Sequence, residues 1–259
     1  MKYYVVDAFT DVLFNGNPAG VCILEEVLDE EVLQSIAAEN NLSETAFILK
    51  REDCYHLRWF TPITEIDLCG HATLASAYVI TNFMDKSKNA GKLHFETKSG
   101  ILTVVKENDL YVMDFPSRKP SKAPVTPQME HALNTPVCEA YESRDLLLLL
   151  ETEQQVKDLV PDFDLIKQLA GHAAIVTAKG TGMDFVSRFF APNVGVPEDP
   201  VTGSAHATLI PFWAERLCKT KMVAAQLSKR GGTVYCEDAG DRVKIAGKAV
   251  LYLQGEIKI

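Results

Sequence analysis

Two stretches of this chain carry residue types that could do chemistry, at a shared spacing. The first runs Arg58-Trp-Phe-Thr-Pro-Ile-Thr-Glu-Ile-Asp-Leu-Cys-Gly-His-Ala-Thr73. The second runs Arg188-Phe-Phe-Ala-Pro-Asn-Val-Gly-Val-Pro-Glu-Asp-Pro-Val-Thr-Gly-Ser-Ala205. Each has an Arg, two aromatics, a small residue, Pro, a turn, and then a Gly that opens an apolar run. A helix opening on Gly70-His71 or on Gly203-Ser204 presents backbone N–H groups that have no partner inside the helix. Those donors, with the helix dipole, suit a carboxylate or phosphate. The plain alternative is that each Gly lets a buried helix pack closely. Two such starts in matching positions favour the anion site. The expectation is that both face one small anionic substrate across the interface between two halves.

The titratable candidates lie around those starts. Glu44, in Asn41-Leu-Ser-Glu-Thr-Ala46, opens an otherwise apolar strand. A carboxylate beside a closed apolar site has its proton affinity raised, which suits a general acid/base near neutral pH. Most glutamates, however, are simply solvated. His71 could carry a proton or donate a hydrogen bond, or be satisfied in place. Asp199, in Glu198-Asp-Pro-Val-Thr-Gly203, reads as a site group or as a turn former, with Glu198 as a supporting group. Asn17 could present its amide to a ligand or shape its own turn, and His206 reads as structural. Cys69 and His71 are two residues apart at a helix start, where side chains are not expected to face each other. No thiol–imidazole dyad is therefore expected.

The elements that must hold these residues follow from periodicity and punctuation. Tyr3 to Phe9 reads as a strand, Phe14-Asn-Gly-Asn-Pro18 as a turn, and Ala19 to Leu24 as the returning strand. Asp29 should cap a helix with Val32, Leu33, Ile36 and Ala37 on one face, ending near Asn40-Asn41. Strands are expected at Thr45 to Leu49 and His56 to Phe60. Gly70 to Phe83 follows as a helix apolar on nearly every side, hence buried. Lys92 to Glu96, Gly100 to Val105 and Leu110 to Phe115 alternate like antiparallel strands.

After the Pro-rich stretch 117–127, read as a linker, the order recurs. A strand is expected at Leu146 to Leu150, a helix at Pro161 to Leu169, and strands at Ala173 to Thr177 and Ser187 to Phe190. A second apolar helix should run from Gly203 to Leu217, with closing strands near 242–245 and 249–254. The two Arg frames are 130 residues apart in a chain of 259, so the repeat halves the protein. The expected fold is α+β: pseudo-symmetric halves, 1–116 and 128–259, each a curled, mostly antiparallel sheet around one apolar helix. The terminal strands are free to cross between them.

Composition narrows the function classes. The chain is 47% hydrophobic and 24% charged, with net charge −9, pI about 5.2 and mean hydropathy −0.01. No basic run offers a nucleic-acid surface, and no apolar string approaches a membrane span. The start lacks a signal-like apolar core, so cytoplasmic residence is expected. Six cysteines without ligand spacing read as reduced thiols, most of them filling the core, and nothing in their spacing suggests zinc or another metal.

The strings Asp7-Ala-Phe9, Gly16-Asn-Pro18, Asn41-Leu-Ser-Glu-Thr45, Phe60-Thr-Pro62, Cys69-Gly-His-Ala-Thr73 and Glu198-Asp-Pro-Val-Thr-Gly-Ser-Ala-His206 resemble the phenazine-biosynthesis PhzF family, relatives of diaminopimelate epimerase. The resemblance implies a diaminopimelate-epimerase-like fold and a cofactor-independent isomerase. Glu44 would be its proton-shuttling acid/base, with His71 and Asp199 as companions. Asn17, Ser43, Gly70, Gly203 and Ser204 would bind a small carboxylated substrate, and a homodimer is expected. The epimerase relatives use one thiol from each half. Here Cys69 stands in the first copy and Asp199 in the second, which disfavours a two-thiol racemase. The competing readings are a non-catalytic anion-binding protein and a thiol-dependent amino-acid epimerase.

Overall fold

The computed structural model describes residues 1–85 and 91–259. They pack as two compact units, Met1–Asp114 with Ala246–Ile259, and Phe115–Ile245. The first unit is built on the helix Gly70–Val79, which is extended by a single π-helical turn, Ile80–Met84. Nearly every side of this helix is buried, from His71 through Ala77 and at Val79. Such a helix has no face for water and must sit inside a sheet. Its polar side chains are satisfied by bonding back along the helix: Thr73 to Cys69 O at 2.6 Å, Ser76 to Ala72 O at 2.7 Å and Thr81 to Ala77 O at 3.0 Å.

Strands surround that helix. Lys2–Ala8 pairs antiparallel with both Asn17–Leu24 and Ala249–Glu256. Glu44–Lys50 and Tyr55–Phe60 pair antiparallel, as do Lys92–Thr97, Gly100–Glu107 and Leu110–Pro116 in succession. Two parallel pairings interrupt the pattern, Asn17–Leu24 with Glu44–Lys50 and Tyr55–Phe60 with Lys92–Thr97.

The second unit repeats the plan around the helix Gly203–Leu217. Leu146–Leu149 runs parallel to Ala174–Lys179, which is antiparallel to Phe185–Ala191, and the latter runs parallel to Lys221–Gln226. Pro211 lies inside this helix and has no N–H for the carbonyl four residues earlier. That carbonyl, Ala207 O, instead accepts the backbone N–H of Arg118 at 2.9 Å. The Pro-rich stretch thus lies within the second unit, where Ser121–Ala123 also pairs as a strand with Glu139–Glu142.

The repeated Arg-aromatic-aromatic frame is a structural device. Arg58 pairs with Glu65 through two bonds of 2.7 and 2.8 Å, and Arg188 with Glu198 at 2.6 and 3.0 Å. Each guanidinium sits 5.0 Å from the ring two residues on, Phe60 or Phe190. Glu198 is therefore occupied as the partner of Arg188.

Several local expectations are corrected. Asp29 stands at the N-cap of Glu30–Asn40, but its side chain makes no capping bond. Val32 is 37% exposed, because the buried stripe is Leu33, Ile36 and Ala37 and Val32 falls at its edge. Only Phe163–Ile166 is helical in the span given to Pro161–Leu169. An earlier short helix, Glu153–Asp158, is set instead by the Thr152–Gln155 capping box, and another, Pro127–Leu133, begins with Pro at its first turn. Of the six free thiols, Cys22, Cys69 and Cys236 are buried, while Cys138 and Cys218 are exposed. No helix among the described residues is long and apolar enough to cross a membrane.

Candidate active site

Three chain segments deliver side chains to one place in the first unit. Asn17–Leu24 and Glu44–Lys50 are adjacent parallel strands in the register Ala19 to Glu44, so both begin at the same edge of the sheet. Asn17 is placed by the turn before it. Gly16 has φ +68, and a Cβ there would overlap the Ala8 carbonyl oxygen. Buried Asp7 accepts the Phe14 N–H at 2.9 Å and ties the same loop down. Glu44 is placed by Asn41, whose left-handed backbone (φ 50) ends the preceding helix and turns the chain into the strand. The third contribution is His71, in the first turn of the buried helix.

The side chains converge. Glu44 Oε2 lies 3.0 Å from His71 Nε2, with the two side chains 14% and 7% exposed. That oxygen is buried and, among the described residues, has no hydrogen-bond partner other than this ring. Asn17 is fully buried, and its Nδ2 lies 3.3 Å from His71 Nδ1. Cys69 Sγ is 3.5 Å from the same Nδ1, so the thiol and imidazole do meet, against the expectation from their spacing. The reason is local. Cys69 is the N-cap, with extended backbone angles (φ −142, ψ 110), so the helical spacing rule does not govern its side chain.

Electrostatics follow from the burial. Burial of the His71 ring opposes its charged form, but negative charge at Cys69 and Glu44 outweighs it and holds the imidazole well above its ordinary value. Burial, reinforced by the Glu44 charge, pushes the Cys69 thiol up. His71 is thus the cation of the cluster, held between the Cys69 sulfur and the Glu44 carboxyl group. Oxygen, nitrogen and sulfur donors of Glu44, His71 and Cys69 lie within 4.8 Å of one another, close enough to share a cation. No cysteine-spacing rule finds this group, because Glu44 is 25 residues from Cys69 in the chain.

The other candidates fall as follows. Ser43 is half-buried beside Glu44, and Gly70 half-buried at the helix start. In the second unit Gly203 is buried and Ser204 half-buried, and Arg144 donates to Ser204 Oγ at 3.2 Å. Asp199 is half-buried and accepts the Thr202 hydroxyl at 2.5 Å. Thr202 occupies the N-cap but makes no capping bond, so its side chain serves Asp199 and not the first-turn amides. His206 is fully buried, with its Nδ1 2.8 Å from Thr202 O, and burial pulls it down to about 4. The first paired residues of the second unit's parallel strands are Leu146 and Ala174, so nothing titratable stands there as Glu44 does in the first unit. Sequence reasoning missed Arg144, Thr202 and Gln226. Thr202 lay in a quoted motif, whereas Gln226, a partner of the 199–202 turn, comes from a distant strand with no local signal.

Comparison with known proteins shows the family of the chain. The profile of the PhzC-PhzF family, described as phenazine biosynthesis-like protein, matches residues 6–255. An uncharacterized isomerase of Pseudomonas aeruginosa is 48% identical over 259 residues, covering 100% of this chain and 99% of the relative. A human phenazine biosynthesis-like domain-containing protein is 40% identical over 292 residues, with 99% of each chain covered. Among solved structures, a PhzF-family protein of Enterococcus faecalis superposes with TM-score 0.97 at 50% identity, covering 100% of this chain and 99% of that one. A probable proline racemase from Agrobacterium radiobacter shares the fold, with TM-score 0.66 at 9% identity, covering 100% and 93%.

Proposed function

The chain belongs to the PhzC-PhzF, phenazine biosynthesis-like family, and from that premise we propose that this PhzF-type isomerase moves a proton between two carbons of a small carboxylated, unsaturated or cyclic metabolite, without a cofactor. Glu44 is the group that takes the proton and returns it. The observation that carries this reading is the Glu44–His71 contact of 3.0 Å between two largely buried side chains. With the His71 ring against it, the Glu44 carboxylate is the base that takes the proton from the substrate carbon. Abstraction from a carbon beside an unsaturated system leaves an electron pair delocalised along that system. The protonated Glu44, 14% exposed and so able to exchange its acidic proton with solvent, then delivers a proton to the far end, and charge and atoms balance. Helix-start amides at Gly70 and His71 suit the substrate carboxylate and the charge that develops on it. Asn17, with its amide turned so that Oδ1 accepts the Nδ1–H of the imidazolium, orients the ring.

The test is deuterium exchange from solvent into carbon positions across a panel of ring and chain carboxylates. Glu44→Gln should lower exchange by about 10²–10⁴-fold, the usual contribution of a positioned acid/base. Exchange that survives this substitution unchanged would end the proposal. Ligand binding without exchange in either protein would instead favour a non-catalytic anion-binding role. One observation favours a second enzymatic reading: the Cys69 thiol touches His71. A thiol-dependent epimerase predicts that Cys69→Ser inactivates, whereas the carboxylate shuttle predicts turnover within a few-fold of the parent.

A further inference from the structure

The turn carrying Asp199 is held by one buried amide. Gln226 ends the strand Lys221–Gln226 and is only 1% exposed, so each of its polar atoms needs a partner. Its Oε1 accepts the Thr202 N–H at 2.8 Å. Its Nε2 donates to Asp199 O at 2.8 Å and to Thr202 Oγ1 at 3.2 Å. The backbone fixes which end of the amide is which, because the Thr202 N–H can only donate and the Asp199 carbonyl can only accept.

That orientation has a consequence for the hydroxyl. Thr202 Oγ1 carries a single hydrogen, and a lone pair on it already receives Gln226 Nε2–H. Its hydrogen goes to Asp199 Oδ2, 2.5 Å away. The next residue of the turn is secured from the same region, since Ser228 Oγ donates to Pro200 O at 2.8 Å. We propose that Gln226 is a positioning residue for Asp199: it fixes the backbone of the 199–202 turn and, through Thr202, aims a hydroxyl hydrogen at the Asp199 carboxylate. The same arrangement keeps Thr202 from capping the helix Gly203–Leu217, so its first-turn donors stay unclaimed by that side chain. The inference rests on the reading of Asp199 as a functional carboxylate, but it concerns how that carboxylate is held.

The test reads Asp199 directly, by ¹³C NMR titration of labelled aspartate carboxyls in the intact protein, with Asp199→Asn identifying the signal. A donated hydroxyl favours the ionised form, so Thr202→Val should raise the Asp199 midpoint by about one pH unit, whereas Thr202→Ser should leave it close to the parent. Gln226→Leu should raise it similarly, and the Gln226→Leu, Thr202→Val double variant should move it no further than Thr202→Val alone. A merely structural Gln226 would not give that non-additivity. Should Gln226→Leu fail to fold, near-isosteric Gln226→Glu keeps an acceptor for the Thr202 N–H but offers the hydroxyl a competing anion, and the midpoint should again rise. Unchanged midpoints in folded Gln226 variants or in Thr202→Val, or shifts that add in the double variant, overturn the inference. None of these readouts needs turnover. A failed isomerase assay with the expected titrations overturns only the proposed reaction, and unchanged titrations in an active enzyme overturn only the role of Gln226.

Discussion

The two buried histidines, His71 and His206, respond to pH in opposite directions. His71 is held above the imidazole value it would have unfolded, near 6.5. Its contribution to stability is complete below about pH 6.5 and is lost as pH rises through the folded value. The first unit should therefore weaken in mild alkali. His71→Asn should flatten that decline, read by denaturation followed through first-unit amides. His206 is depressed to about 4 by burial. Its contribution is present above about 6.5 and disappears as pH falls toward 4, a loss on the order of 3 kcal/mol. An NMR titration should find the His206 ring neutral to about pH 4, and His206→Gln should reduce acid sensitivity in the second unit.

At the scale of elements, the loops before strands and helices set the chemistry. Asn17 follows a glycine whose backbone no other residue adopts cheaply there. Gly16→Ala should cost about 1–3 kcal/mol and displace Asn17 from His71, detected as a lower melting temperature together with slower exchange. The two Arg frames look alike but differ in weight. The Arg188 side chain is 11% exposed and also bonds the carbonyls of Leu159 at 2.6 Å and Val156 at 3.3 Å, whereas the Arg58 side chain is 20% exposed and reaches exposed Glu30. Arg188→Ala should then cost about 3–5 kcal/mol, since it strands Glu198 and two carbonyls. Arg58→Ala should cost distinctly less. Urea denaturation of the two variants decides the order.

The first unit is stitched from both chain ends. The last strand, Ala249–Glu256, pairs with Lys2–Ala8 along its full length, from Lys2 opposite Glu256 to Ala8 opposite Ala249. Phe9 and Thr10 N–H both reach Lys248 O, at 2.8 and 3.3 Å. Removing residues 246–259 should leave the first strand without one neighbour, and hydrogen exchange at Tyr3 to Asp7 should lose protection. Fragment 1–114 alone should fail to unfold cooperatively.

The order of elements was legible in the sequence because periodicity and turn residues act locally. The helix Gly203–Leu217 and most strands lie where their residues place them, and the resemblance that pointed to PhzF was carried by short strings. Glu44 and His71 could be singled out, each with a bland alternative, because residue type alone does not say who is beside whom. Only tertiary structure brought Asn17, Glu44, Cys69 and His71 together. The N-cap geometry of Cys69 lies outside any helical spacing rule, and the parallel register that sets Ala19 opposite Glu44, with Asn17 at the same edge, is a pairing between separate strands. Gln226 was invisible for the same reason: a buried amide declares its purpose only through the atoms it touches.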